Sequence, residues 1–196
     1  MANGNDLEML VHLKEFSKYV EIVGYLNVKF ASAEAFLKIN RKQITRNADI
    51  QFFDAEFIAT KEHLLFAVIN ALEAFKNKTN LSKTPAMETM LYASAQRQIK
   101  KAIQKCGIKP STTNMAATII GENSTELKNA AKAISIAIDA KLDQSVLELS
   151  TSKSDKIKKA FQISNIEINT VSKNGNCQEA LVNLVVERVA LLATQI

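Results

Sequence analysis

The sequence predicts an α/β fold of the α+β type: a single two-layer domain that packs helices against a mixed, mostly antiparallel sheet of about four strands. Three observations favour this fold: β-rich runs such as Val20–Leu26 and Met115–Ile120, runs whose apolar residues recur at the helical period of 3.6, and an irregular order of the two. The 196-residue chain is 47% hydrophobic and 23% charged, an ordinary globular composition. Without an internal repeat or a Pro/Ser/Gly linker, it predicts a single domain.

The N-terminal part of the chain predicts helices and strands in alternation. Leu7–Phe16 is weakly helical, whereas Val20–Leu26 alternates roughly as a strand does. Ser32 is placed to cap a helix over Ala33–Arg41. Ile50–Ile58 predicts the second strand.

Two long helices are predicted in the middle of the chain. Thr60 caps the first, which runs to about Lys76 with apolar residues at the helical period. Thr84–Pro85 starts the second, because a proline at the first helical position gives up no intrahelical hydrogen bond. This helix is predicted to continue unbroken to Cys106, with Gly107 as a left-handed C-cap.

The last third also mixes strands with helices. A polar stretch that ends at Asn174–Gly175 precedes the final helix. The predicted elements are a strand over Met115–Ile120, a helix from Ser124 to about Lys141, a fourth strand over Val146–Leu149, a short helix over Ser154–Phe161 and a final helix over Cys177–Ala193.

The signatures of common catalytic and cofactor sites do not occur in the sequence. Its two histidines and two cysteines form no zinc-ligand cluster, and its five glycines stand singly, so the glycine-rich phosphate loops do not occur. Neither GxSxG nor HExxH is present. We therefore expect a binding or regulatory protein, not an enzyme, with no cofactor and no metal. A stand-alone small-molecule enzyme would require a constellation of residues that is not visible here.

The sequence also predicts a cytoplasmic protein. Its first residues lack the basic region of a secretory signal, and its longest apolar runs fall short of the ~20 residues that a helical membrane span needs. Cys106 and Cys177 lie far apart without metal-ligand spacing, so free intracellular thiols are expected. No membrane association is expected.

Positive charge is concentrated in one segment. Residues 74–121 contain eight lysines and arginines against one acid, Glu88, which is +7, whereas the whole chain carries +5. The remainder is therefore slightly acidic. Charge segregated in this way favours a polyanionic partner more than a uniform surplus would.

Arg97, Lys101 and Lys105 form the clearest pattern in this segment. On a continuous helix they lie at i, i+4 and i+8, so they are predicted to form one basic stripe with Lys100 beside it. No carboxylate lies at i±3 or i±4 of any of them, so the stripe is either a solvated face or a surface used against phosphates. Ile99 lies among these charges and, if exposed, can pack against a base or a ribose.

His63 falls in the first turn of the helix that Thr60 caps, where the positive end of the helix dipole disfavours an imidazolium. We expect a partly buried, hydrogen-bonding histidine and not a catalytic base. Lys61, two residues earlier, is expected to join the basic surface.

The final helix is more apolar than one core contact requires. Its polar positions Glu179, Asn183 and Glu187 form a single stripe, and nearly everything else between Ala180 and Leu192 is apolar. Two interpretations stay open. The helix is either fully covered inside the domain, or one flank packs on the domain while the other meets a partner protein.

Three groups of residues resemble a known family: Asp54–Ala55, Lys61–Ala67 and Tyr92–Ile99. In this order and spacing they resemble the small kinase-binding subunit of the KEOPS complex. The resemblance is clearest over Ile50–Lys109 and weaker over Ala180–Leu192, where Val-x-x-Arg-Val-Ala-Leu-Leu is similar. Residues 1–17 lie outside the pattern, so the resemblance implies one domain of this family over residues 18–196, with residues 1–17 as an N-terminal extension. The segment 122–151 is longer and richer in alanine than the family pattern.

The resemblance implies a non-catalytic accessory subunit. In that complex a catalytic subunit transfers threonylcarbamoyl to the adenosine beside the anticodon of tRNA, and a small atypical kinase hydrolyses ATP. The family member docks on the kinase and stimulates it, meets the remaining subunits only indirectly, and in archaea captures the 3′ CCA end of tRNA. The alternative is a protein-interaction subunit that does not bind RNA directly.

Two sets of site residues follow from the residue patterns and the resemblance together. The predicted RNA-binding residues are Lys61, Ser94, Arg97, Gln98, Ile99, Lys101 and Lys105. The predicted kinase-interface residues are Leu181, Leu184, Val185 and Arg188.

Overall fold

A computed structural model describes residues 9–29 and 48–194 of the chain. These residues form two compact units, each built from two stretches of sequence. Of the described residues, the sheet unit comprises 9–29, 48–55 and 108–146, and the helical unit comprises 56–107 and 147–194.

The sheet unit contains five strands: β1 (Met9–Leu13), β2 (Lys18–Leu26), β3 (Ala48–Asp54), β4 (Met115–Gly121) and β5 (Lys141–Leu142). Their order is β1-β2-β4-β3, with β5 pairing to the end of β2. Every strand pair among the described residues is antiparallel. The predicted fold class, helices with a mostly antiparallel sheet, is confirmed, as are the strands predicted over Val20–Leu26 and Met115–Ile120.

The N-terminal helix predicted over Leu7–Phe16 is wrong. Met9–Leu13 is instead an edge strand whose partners in β2 run from Ile22 back to Lys18. A short 3-10 turn and a left-handed Ser17 reverse the chain between the two strands. The helix propensity of this segment is weak, and the backbone hydrogen bonds that it forms with the neighbouring strand outweigh it.

Two other predicted elements differ from the structure. The strand predicted over Ile50–Ile58 ends at Asp54 and continues as a 3-10 turn. The strand predicted over Val146–Leu149 is absent, because Val146 and Leu147 belong to a 3-10 turn over Gln144–Leu147 and the two residues after it form no strand. The helix predicted over Ala33–Arg41, with its Ser32 cap, lies outside the described residues.

One face of the sheet is covered by helix α4 (Ser124–Ala137), which Asn123 caps and which ends before the predicted Lys141. The core between them consists of Val23, Tyr25, Phe52, Met115, Ala117 and Ile119 from the strands and Leu127, Ala130, Ala131 and Ile134 from α4. The buried Tyr25 hydroxyl donates a hydrogen bond to the carbonyl of Ala131 at 3.1 Å, so its polar atom is satisfied.

The helical unit is formed by α1 (Lys61–Lys76), α2 (Pro85–Ser94), α3 (Ile99–Cys106), α5 (Thr151–Phe161), α6 (Asn165–Val171) and α7 (Cys177–Leu191). The starts of α1, α2 and α7 agree with the predictions. Helix α6 lies in the stretch predicted only as polar, although the sequence contains its start signal. Ser164 and Glu167 form a capping box there.

The long helix predicted up to Cys106 is broken in two. Ala95 adopts a left-handed conformation (φ 50°, ψ 46°) and ends α2, and α3 begins only at Ile99. The left-handed cap predicted at Gly107 is also wrong, because its backbone is extended (φ −73°, ψ 156°). A glycine fits there for another reason: a Cβ would lie 2.6 Å from the carbonyl oxygen of Ile103.

No helix in the described ranges 9–29 and 48–194 combines the length and the apolar content that a membrane crossing needs.

Candidate functional site

The turn from α2 into α3 exposes a basic surface, here called the basic turn, which comprises residues 97–101. Arg97, Gln98, Ile99, Lys100 and Lys101 are all exposed. Among the described residues, no carboxylate lies within ion-pair distance of these three cations. The basic turn therefore combines unneutralised positive charge with a side chain, Ile99, that is 43% exposed.

The helix break corrects the predicted stripe of Arg97, Lys101 and Lys105. Arg97 lies in the turn before Gln98, the N-cap of α3, so only Lys101 and Lys105 share a helix. The exposed apolar side chain one turn after Ile99 is Ile103, which is also 43% exposed. The exposed surface at the start of α3 therefore combines positive charge with apolar side chains.

Lys105 and Ser94, both predicted to contact RNA, have structural partners instead. The Lys105 ammonium donates a hydrogen bond to the carbonyl oxygen of Ser94 at 2.8 Å and lies 3.9 Å from the centroid of the Phe161 ring. Burial lowers the pKa of Lys105. The Ser94 side chain is fully buried and donates to the carbonyl of Leu91. Neither polar group points freely into solvent.

His63 is fully buried and uses both ring nitrogens, which confirms the hydrogen-bonding role predicted for it. Its Nδ1 accepts from the amide of Ala59 at 3.2 Å, and its Nε2 donates to the carbonyl of Ala93 at 2.8 Å. Burial lowers its pKa to about 4, so the ring is neutral at pH 7. This contact holds the start of α1, which carries the exposed Lys61, against the end of α2.

A cavity of about 460 Å³ lies beside the basic turn, and Arg97 is part of its wall. Its other lining residues are Asn70, Glu73, Ala74 and Asn77 of α1, Thr79 and Leu81 of the following loop, Glu88 and Tyr92 of α2, and Leu192 and Ala193. Burial and the charge of Glu88 raise the pKa of Tyr92, and the guanidinium of Arg97 opposes them. The volume falls within the range of small-molecule sites.

Sequence reasoning missed this cavity. Its one local signal is Glu88, the single acid in the basic segment. The Glu88 carboxylate is buried and accepts hydrogen bonds from the amides of Leu81 and Ser82 at 3.1 and 2.7 Å, so it shapes the loop that forms one wall. The remaining lining residues come together only through the packing of α1, α2 and the end of α7 against one another.

The residues predicted to meet a kinase lie mostly inside the helical unit. Leu181, Leu184 and Val185 are exposed by only 2%, 4% and 0%, so in this structure they are core and not surface. Arg188 is half-buried and forms an ion pair with Glu167 of α6 at 2.5 Å. The covered-helix interpretation therefore holds for this flank of α7, because α1 and α6 both pack on it.

Some apolar surface nevertheless remains at the end of α7. Leu191 is 41% exposed, and on α1 Phe66 is 43% exposed. Phe66 lies one turn before Asn70, which lines the cavity together with Leu192. Phe66 and Leu191 are therefore the exposed large apolar side chains of α1 and α7 that a partner protein can contact.

Comparison with known proteins gives two matches. A family model described as "Kinase binding protein CGI-121" matches residues 25–193. A curated protein of Methanocaldococcus jannaschii, "Regulatory protein Cgi121", is 31% identical over 126 residues, which cover 64% of this chain and 79% of that protein. The region that the family model matches contains both the basic turn and α7.

Proposed function

The chain belongs to the CGI-121 family of kinase-binding regulatory proteins, and from this premise we propose that it is a non-catalytic subunit of the KEOPS complex. In this role it binds and stimulates the small atypical kinase of the complex in the cytoplasm. It also captures the 3′ CCA end of tRNA for threonylcarbamoylation of the adenosine beside the anticodon.

The observation that carries the RNA part of this proposal is the basic turn. Arg97, Lys100 and Lys101 are exposed cations without ion pairs to described residues, and they flank the half-exposed Ile99 along the chain. Cations of this kind bind backbone phosphates, and an apolar side chain among them supports an unpaired base. A single-stranded end, whose bases are unstacked, fits such a surface better than a duplex does.

The cavity adds a second reason to expect a strand end. Arg97 belongs both to the basic turn and to the cavity wall. A phosphate held at Arg97 therefore lies beside a space of about 460 Å³ that can receive a nucleotide. Hydroxyl, amide and carboxylate groups line that space and can hydrogen-bond to a base.

A titration with tRNA tests the RNA proposal. We expect intact tRNA to bind more tightly than tRNA trimmed of its CCA end. An Arg97→Glu/Lys101→Glu variant should bind weakly, because it removes two phosphate-binding cations and adds repulsion. Its plot of log affinity against log salt should flatten by roughly 0.7 for each single-strand phosphate that is no longer bound. Ile99→Glu should weaken binding without unfolding the protein, since Ile99 is half-exposed.

Lys173→Glu is the matched control, because this exposed lysine lies between α6 and α7, outside the basic turn. Equal affinity for trimmed and intact tRNA would contradict capture of the CCA end. Unchanged affinity in the double variant would exclude the basic turn as the site. No tRNA binding by the wild-type protein would favour the alternative, a protein-interaction subunit without direct RNA binding.

The kinase proposal follows from the family and places the contact at the exposed end of α7. Leu191 and Phe66 supply exposed apolar area, whereas Leu181, Leu184 and Val185 are buried. Leu191→Asp or Phe66→Asp should abolish co-purification with the kinase while the melting temperature stays nearly unchanged. Normal co-purification of both variants would place the interface elsewhere.

A further inference from the structure

The last two carbonyls of α2 are each held by a side chain from another helix. His63 of α1 donates to the carbonyl of Ala93 at 2.8 Å, and Lys105 of α3 donates to the carbonyl of Ser94, also at 2.8 Å. The final carbonyls of a helix lack intrahelical partners, and a cation there is also favoured by the helix dipole. The end of α2 is therefore fixed from two sides.

Phe161, the last residue of α5, contacts both of these side chains. The Lys105 ammonium lies 3.9 Å from the centroid of its ring, in cation–π geometry. The His63 ring meets it edge-on at a centroid distance of 5.5 Å. Lys105 thus has both a hydrogen-bond acceptor and a cation–π partner inside the helical unit.

The bridge from Lys105 to Ser94 spans the basic turn. Ser94 is the last residue of α2, Lys105 lies in the last turn of α3, and residues 97–101 lie between them. The left-handed Ala95 and the amide of Gln96, which donates to the carbonyl of Leu91 at 3.0 Å, fix the chain on the α2 side. Both ends of the segment that carries Arg97 and Ile99 are thereby held.

We propose that Lys105 is a positioning residue, which fixes the basic turn for RNA through its bridge to Ser94 and its contact with Phe161 and does not itself contact a phosphate. This inference rests on the proposed RNA-binding function. Preorganisation raises affinity because side chains that are already ordered lose less entropy on binding.

Salt dependence separates a positioning residue from a phosphate contact. The experiment measures tRNA affinity over a salt series for Lys105→Met, with Lys101→Met as the matched control of the same chemistry on the same helix. We expect Lys101→Met to weaken binding and to flatten the log–log slope by roughly 0.7. Lys105→Met should weaken binding roughly 3- to 10-fold with the wild-type slope, since the number of bound phosphates stays the same.

Two further variants guard against a folding defect. Phe161→Leu removes the aromatic partner and leaves every cation in place, so we expect it to behave like Lys105→Met. Lys105→Arg keeps a charged donor and should restore most of the affinity. All affinities are measured under conditions in which circular dichroism shows each variant to be folded. A residue that only stabilised the fold would then leave the affinity for tRNA unchanged.

The outcomes are distinct. A flattened slope in Lys105→Met, equal to that of Lys101→Met, would make Lys105 a phosphate contact and overturn the inference. Wild-type affinity in Lys105→Met and Phe161→Leu would overturn it as well. Absence of tRNA binding by the wild-type protein overturns both the inference and the RNA part of the proposed function, and it is recognised before any variant is made.

Discussion

The imidazole of His63 donates to the carbonyl oxygen of Ala93 at 2.8 Å and in doing so ties the first turn of α1 to the last turn of α2. The same ring accepts from the amide of Ala59, so it can make both bonds only while it is neutral. Its complete burial and the nearby charges of Lys105 and Lys153 disfavour a proton. His63 therefore acts as a structural bridge, in agreement with the hydrogen-bonding role that the sequence predicts for it.

This bridge predicts acid sensitivity. The pKa of His63 is about 4 in the folded protein and about 6.5 in the unfolded chain, so the unfolded state takes up the proton first. Its contribution to stability is complete above pH 6.5 and falls as the pH drops towards 4, by up to about 3 kcal/mol. Urea unfolding between pH 4 and 7 measures this decrease. His63→Gln should reduce the slope, whereas the exposed His12→Gln should keep it. Equal slopes in the two variants would contradict the assignment.

Glu88 is predicted to hold the loop between α1 and α2. Glu88→Ala removes the acceptor for the amides of Leu81 and Ser82, and this should lower the free energy of unfolding by about 3 kcal/mol. Glu62→Ala, at an exposed position in the first turn of α1, should cost less than about 1 kcal/mol. Chemical denaturation compares the two. The same unfolding midpoint for both variants would show that the loop does not depend on the carboxylate.

The two flanks of α7 should respond differently to truncation. Leu184→Ala leaves a cavity in the helical unit and should cost about 2–5 kcal/mol of unfolding free energy. Leu191→Ala, at a position that is 41% exposed, should cost less than about 1 kcal/mol. Equilibrium unfolding in urea measures both values. Comparable costs in the two variants would mean that Leu191 is covered as well.

Gly24 has no room for a side chain. A Cβ there would lie 2.4 Å from both the carbonyl oxygen of Asp143 and a methyl group of Val146. The Asp143 backbone cannot move away cheaply, because its amide donates to the carbonyl of Gly24 at 2.9 Å. Gly24→Ala should therefore cost about 1–3 kcal/mol, measured by thermal or urea unfolding. Adding Val146→Ala should not restore stability, since the clash with the Asp143 carbonyl remains. Full recovery in the double variant would place the strain on the side chain alone.

Local patterns in the sequence were sufficient to predict many of the helices and strands of the fold. The rough alternation in β2, the helical period of α1 and the start signal at Thr84–Pro85 each predicted the right element, because these signals depend on residues that are neighbours along the chain. The concentration of positive charge in residues 74–121 and the family resemblance are properties of the same kind, and the family is confirmed.

The tertiary structure decided which side chains are available. It broke the predicted helix at Ala95, paired Lys105 with Ser94 and Phe161, and buried Leu181, Leu184 and Val185. A helical period shows that a face is apolar, but the covering of that face depends on helices far away in sequence. Likewise, a lysine in a basic segment is solvated or bound according to the carbonyls and rings that the fold brings near it. Hydrogen bonding and burial act between residues close in space, and that proximity arises only when the helices pack.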